Sequence, residues 1–154
     1  MTDSPEPALP HALPIAVGDV IAREVTFDSG SIREFARLAG DDNPLHHDQA
    51  AAEASRFGTL IASGTHTTAV MMGCLASHFV TKGPSLGLGC QMTFRRAVRA
   101  GATCRIEWTI TSIAWKLSLR GHVVDLAGTL STVEGEVAVA ATSSCLFTLP
   151  EGAA

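Results

Sequence analysis

The chain has no aspartate or glutamate between Glu53 and Glu107. Any chemistry that needs a carboxylate must draw it from outside that span. Arg56, Lys82, Arg95, Arg96, Arg99 and Arg105 all fall inside it, so the middle of the protein is locally basic although the whole carries a net charge of −4. A basic stretch attracts anionic ligands such as phosphate groups. Positive residues on strand edges also discourage aggregation, which is the structural alternative. The overall acidity gives no reason to expect nucleic-acid binding.

Other absences narrow the class further. There is no C-x-x-C pair; Cys74, Cys90, Cys104 and Cys145 are scattered. They read as small core hydrophobes in a reducing compartment, not as disulfides or zinc ligands. Neither H-E-x-x-H nor a Cys/His framework is present, so Asp41, His46 and Asp48 are not expected to hold a metal. No segment reaches the roughly eighteen apolar residues that a membrane span needs. Met1–Pro7 is acidic and proline-rich without an apolar signal core, which predicts a flexible tail over residues 1–14 and a cytoplasmic protein. No internal repeat or low-complexity segment occurs.

What is present is one domain's worth of globular sequence: 154 residues, 46% hydrophobic and 17% charged, with residues 15–150 expected to form a single domain. Val20 to Phe27 has the β-branched and apolar content of a strand. Ser31, with Glu34 three residues on, predicts a helix-starting capping box. Ile32, Phe35, Ala36 and Ala39 would form that helix's buried face, and Gly40 its stop. Gln49 to Ser55 is alanine-rich and helical. Gly64 to Val80 has no acidic or basic face, which predicts a helix buried within the protein.

After Lys82-Gly83-Pro84 the period changes to two. Leu88, Cys90, Met92 and Phe94 alternate with small or polar residues, as do Cys104, Ile106, Trp108 and Ile110, and the habit resumes from Val137 to Phe147. These are half-buried antiparallel strands. Ala100-Gly101 and Glu134-Gly135 read as hairpin connections, giving four strands in meander. The pattern predicts an α+β fold in which an antiparallel sheet wraps one long apolar helix.

The chemistry concentrates in Gly40-Asp41-Asp42-Asn43-Pro44-Leu45-His46. It holds a carboxylate and an imidazole five residues apart, directly after a helix stop. Asn43-Pro44 favours an extended or turned backbone, so the two side chains can face one water or one substrate proton near neutral pH. Phe35, Gly40, Asp41, Asn43, Pro44, His46, Asp48, Phe57, Gly58 and Gly64 together resemble, in order and spacing, the signature of the MaoC-like hydratase/dehydratase family, which includes the (R)-specific enoyl-CoA hydratases.

The resemblance implies a hot-dog fold that dimerises through its sheets. It also implies an enzyme that hydrates 2-enoyl thioesters or dehydrates 3-hydroxyacyl thioesters. Asp41 and His46 would then hold the water and move protons, with Asn43 orienting the loop. Gly64 would offer a helix-start N–H group to the thioester oxygen, a role that suits a residue without a side chain. Phe57, Ser63, Thr65 and His66 would contact substrate, and Arg95 and Arg96 would meet the phosphates of coenzyme A. Coenzyme A enters as part of the substrate, and no separate cofactor is expected.

The match departs from the family at two points. Ser63 stands where many members have histidine. Thr65 occupies a position that is often tryptophan in the subset with Ser-Gly-x-His-Thr, which leaves the substrate open. His66 and His78 otherwise read as hydrogen-bonded core groups, and His47 as pointing away from His46. Two other functions fit a hot dog: an acyl-CoA thioesterase, or a non-catalytic acyl-thioester-binding subunit. The first commonly carries its carboxylate on or near the central helix, where this chain has none. The intact Asp41/Asn43/His46 set argues against the second. A homodimer is expected, through an edge formed by Leu86–Val98 or Val137–Phe147.

Overall fold

The computed structural model describes residues 12–149. Most of the predicted tail, residues 1–11, and the last residue of the predicted domain, Pro150, lie outside the described residues. Leu13 and Ile15 pack on the core.

Five strands, β1 (Val20–Phe27), β2 (Ser85–Phe94), β3 (Ala102–Lys116), β4 (Gly121–Thr132) and β5 (Val137–Phe147), form one antiparallel sheet in the order β1-β3-β4-β5-β2. Three helices, α1 (Ser29–Ala39), α2 (Gln49–Ala54) and α3 (Gly64–Phe79), lie between β1 and β2 in the chain. The sheet curves around α3, which is the hot-dog arrangement. Phe27, Ile106, Trp108, Ile110, Leu126, Leu130 and Phe147 from the sheet join Met71, Cys74, Leu75 and Phe79 of α3 in one core. The Trp108 indole N–H donates to the Met71 carbonyl at 3.2 Å, tying sheet to helix. Gly128 on β4 is required by that indole, since a Cβ there would lie 2.3 Å from it.

Several expectations need correction. β3, β4 and β5 do run as a meander, and the Gly135 turn joins β4 to β5. The Ala100-Gly101 connection is not a hairpin: β2 pairs with β5, so the chain crosses the sheet before β3. This also removes Val137–Phe147 as an edge, because β5 is bonded on both sides, and leaves β2 as the free edge of the two.

Helix α1 is capped by Asp28, not Ser31. The Asp28 carboxylate accepts the Gly30 and Ser31 N–H groups at 2.9 Å each, while Ser31 Oγ turns back to the Asp28 carbonyl. Gly40 ends α1 in the left-handed region (φ 70), as a stop glycine does. Ile32 and Ala36 are buried as expected, but Ala39 is exposed.

Nor does the sheet cover α3 on all sides. Thr65, Ala69, Ala76 and Val80 are exposed along one stripe. Cys74, Cys104 and Cys145 are buried, and burial pushes the Cys145 thiol up to about 11; Cys90, on β2, is exposed. Among the described residues no helix is long and apolar enough to cross a membrane.

Candidate active site

The Asp/His loop is a chain of short-range hydrogen bonds. Asn43 is extended, as a residue before proline should be, and its side-chain oxygen accepts the Leu45 N–H at 3.1 Å, capping a 3-10 turn from Pro44 to His46. Asp41 Oδ1 accepts the Asn43 N–H at 3.0 Å. The His47 ring N–H donates to the Asp41 carbonyl at 2.5 Å, and Arg33 Nε donates to the His47 carbonyl at 3.1 Å. His47 thus points away from His46 and braces the loop. Asp48 is spent on capping α2, where it accepts from Ala50 and Ala51.

These bonds leave one carboxylate oxygen and one ring nitrogen facing each other. His46 is buried, and its Nδ1 donates to the Ile61 carbonyl at 2.7 Å. A carbonyl can only accept, so in the neutral ring Nε2 carries the lone pair. That atom lies 3.5 Å from Asp41 Oδ2. Two acceptors at this separation, one of them a third exposed (Asp41, 32%), suit a single water donating one proton to each.

The segment after Phe57 connects this loop to everything else. Ile61 N–H donates to the Leu45 carbonyl at 3.1 Å on one side. On the other, Ala62 N–H donates to Val98 and Leu60 accepts from Ala100, each at 2.8 Å. The strip from Leu60 to Ala62 therefore lies between the acid–base loop and the basic segment, and it runs directly into Ser63 and Gly64 at the head of α3. Ser63 is buried, accepts the His66 N–H at 3.2 Å as the helix cap, and pairs with the Thr65 hydroxyl at 3.0 Å.

Gly64 lines a cavity of about 310 Å³ together with Ala62, Thr67, Phe94, Val98 and Val139, and Arg56, Phe57, Arg95 and Arg96 also line it. A second cavity of about 620 Å³ continues past the same arginines to Arg99, Glu134 and Glu136. Phe57 lies beneath the Arg56 guanidinium at 4.8 Å. Arg96 meets Glu136 at 3.5 Å, an exposed pair of small worth. Of the predicted substrate residues, the structure gathers Phe57, Arg95 and Arg96 around Gly64.

Thr65 is exposed and, like Ser63 and His66, does not line either cavity. Nor do Asp41 and His46. Arg105 instead pairs with Glu107 on β3 at 3.2 Å, so the six cations of the acid-free span do not form one patch. A Cβ on Gly64 would lie 2.9 Å from the ring of Phe94, so a larger residue fits at this position only if that ring moves.

His66 is carried into the core, stacked on Phe35 at 4.6 Å and edge-on to Phe27 at 5.0 Å. Its Nδ1 and the Nε2 of His78 are buried without a hydrogen-bond partner, contrary to the expected satisfied core groups. Burial holds both imidazoles below their usual range. Sequence reasoning missed the Ile61 carbonyl and the position of Phe94. The first is a backbone atom fifteen residues from His46 that no side-chain pattern announces. The second was visible only as one more inward strand residue.

Comparison with known proteins bears on the family and the fold. A family model described as MaoC like domain matches residues 16–135. A UPF0336 protein of Streptomyces avermitilis is 36% identical over 119 residues, spanning 71% of this chain and 76% of that protein. The (R)-specific enoyl-CoA hydratase of Aeromonas caviae is 29% identical over 99 residues, 64% of this chain and 73% of that one. The solved structure of the (R)-hydratase from A. caviae superposes with a TM-score of 0.79 at 25% identity, covering 90% of this chain and all of the other (100%). The chain belongs to the MaoC-like domain family.

Proposed function

We propose that the protein is a hydro-lyase acting on a 2-enoyl or 3-hydroxyacyl thioester, with coenzyme A as the carrier. The observation that carries this reading is the facing pair of His46 Nε2 and Asp41 Oδ2 at 3.5 Å, each fixed from behind by a backbone group. In the hydration direction the water held between them gives its oxygen to C3 of the enoyl group. One of its protons passes to the pair, and the pair delivers a proton to C2, so the elements of one water are added. Dehydration is the reverse. The negative charge that develops on the thioester oxygen needs a donor, and the Gly64 N–H in the first turn of α3 is the group proposed for it. The exposed guanidinium groups of Arg56, Arg95 and Arg99 suit the phosphates of the carrier.

The test is absorbance at the enoyl-thioester band with crotonyl-CoA, run beside a free-thiol assay. Loss of the band without thiol release is the expected result. Thiol release would replace this reading with a thioesterase, and no change in either signal would favour a binding subunit.

The same reading includes a homodimer. β2 has no charged residue, its Leu86, Leu88, Cys90 and Phe94 are exposed, and it lies beside the open stripe of α3. Antiparallel pairing of two β2 edges would extend the sheet through a two-fold axis. Light scattering at micromolar concentration should give about twice the 16.0 kDa chain or a higher even multiple; a monomer would refute the edge pairing.

A further inference from the structure

We propose that Phe94 determines which acyl chains the site accepts, restricting it to short, unbranched ones. The inference rests on the hydro-lyase reading for the place of the thioester, at the Gly64 N–H. Three atoms at the tip of the Phe94 ring lie 2.9, 3.2 and 3.2 Å from where a Gly64 Cβ would stand. Contacts that close are open only to a glycine, so residues 64 and 94 are sterically matched: a larger group at one requires a smaller group at the other. The space immediately beside Gly64 is therefore occupied by this ring, and an acyl chain leaving the carbonyl on that side would meet it.

The cavity beside the ring is small. At about 310 Å³ it lies at the low end for small-molecule sites. Ala62, Thr67, Val98 and Val139 line it together with the ring, and arginines stand at the carrier side. Phe94 is the last residue of β2 and is paired with Val139. The next two residues, Arg95 and Arg96, both donate their backbone N–H to the Ala138 carbonyl, at 2.8 and 3.2 Å. The backbone is thus held while the ring, 56% exposed in the single chain and at the end of the β2 edge proposed to pair, turns about its side-chain torsions. A short chain is accommodated by a small rotation of the ring. A long or branched one meets it, unless the side chain at 94 is cut back.

The experiment compares wild type with Phe94→Ala and Phe94→Leu, all checked for folding by circular dichroism. Two readouts are taken: kcat/KM on four-carbon and eight-carbon 2-enoyl-CoA, and calorimetric binding of the saturated four-carbon and eight-carbon acyl-CoA. Phe94→Ala should raise the eight-to-four ratio by at least about tenfold in both, the discrimination a few methylenes carry in an apolar pocket. Phe94→Leu should fall between, and it carries the test alone if the alanine variant does not fold. Unchanged ratios in folded variants of an active enzyme overturn the proposal. A wild type that hydrates nothing, yet whose binding ratio shifts on Phe94→Ala, overturns the reaction while leaving size selection standing.

Discussion

His46 and His66 are equally buried, each 6% exposed, and their surroundings are opposite in kind. His46 sits in a loop where backbone groups have been aimed at its ring. The Ile61 carbonyl takes Nδ1, and a carboxylate one-third exposed lies at Nε2. His66 sits on a helix among aromatic faces, with its Nδ1 buried and unpaired. Burial alone therefore says little about what an imidazole does. What differs is whether the neighbouring groups can exchange protons with it. A loop can present carbonyls and carboxylates to a ring, whereas in a helix interior the carbonyls are already engaged.

The comparison is broken most forcefully at the loop. Asp41→Asn and His46→Gln should each lower kcat by at least about a hundredfold, the lower range for acid–base groups. The double variant should be only slightly worse than either single one, because the two act on one water. The melting temperature should change little for Asp41→Asn, since Asp41 is partly exposed and the loop keeps its Asn43 cap, and should fall for His46→Gln, whose buried ring donates to the Ile61 carbonyl. Steady-state kinetics on crotonyl-CoA with parallel thermal melts checks this. Near-wild-type turnover in either single variant would remove the mechanism.

A smaller effect sharpens the other half. Burial holds His66 below its ordinary value, against an opposing pull from the Asp28 carboxylate. Between the folded value and the unfolded value of about 6.5 the unfolded chain binds more protons. Stability is then full above about pH 6.5 and declines as pH falls below it. His78 is shifted in the same direction, by burial and then by Lys82, so it contributes to the same slope. His66→Phe, which keeps a ring between Phe27 and Phe35, should lose less melting temperature than wild type between pH 7.5 and pH 5.5. Its turnover should suffer far less than that of His46→Gln. Equal slopes in the two proteins would show that His66 is not a source of the acid sensitivity.

Much of the local structure was legible because it depends on neighbours in the chain. The bounds of β1 and the start of α3 follow from local composition, and Gly40 from the backbone sign that a helix stop requires. The Asp41–His46 loop was readable for the same reason: its Asx turn, its proline and its 3-10 turn close within a few residues. Misreadings at α1 were also local. Asp28 and Ser31 are both capping residue types, and the carboxylate won by accepting two N–H groups at once.

The alternation read for Leu88 to Phe94 fails, because Leu88, Cys90 and Phe94 are exposed on β2. The sequence by itself determined the Asp41–His46 loop, the uncharged central helix, the alternation of β3 and β5, and the family. These rest on residue identity and short spacing. Only the tertiary structure decided that β2 crosses the sheet to pair with β5, that the Ile61 carbonyl selects the His46 tautomer, and that Phe94 covers Gly64. Each of those depends on atoms that are distant along the chain and are brought together when the sheet closes on α3. No periodicity or spacing along the chain encodes which distant backbone group or ring will arrive there.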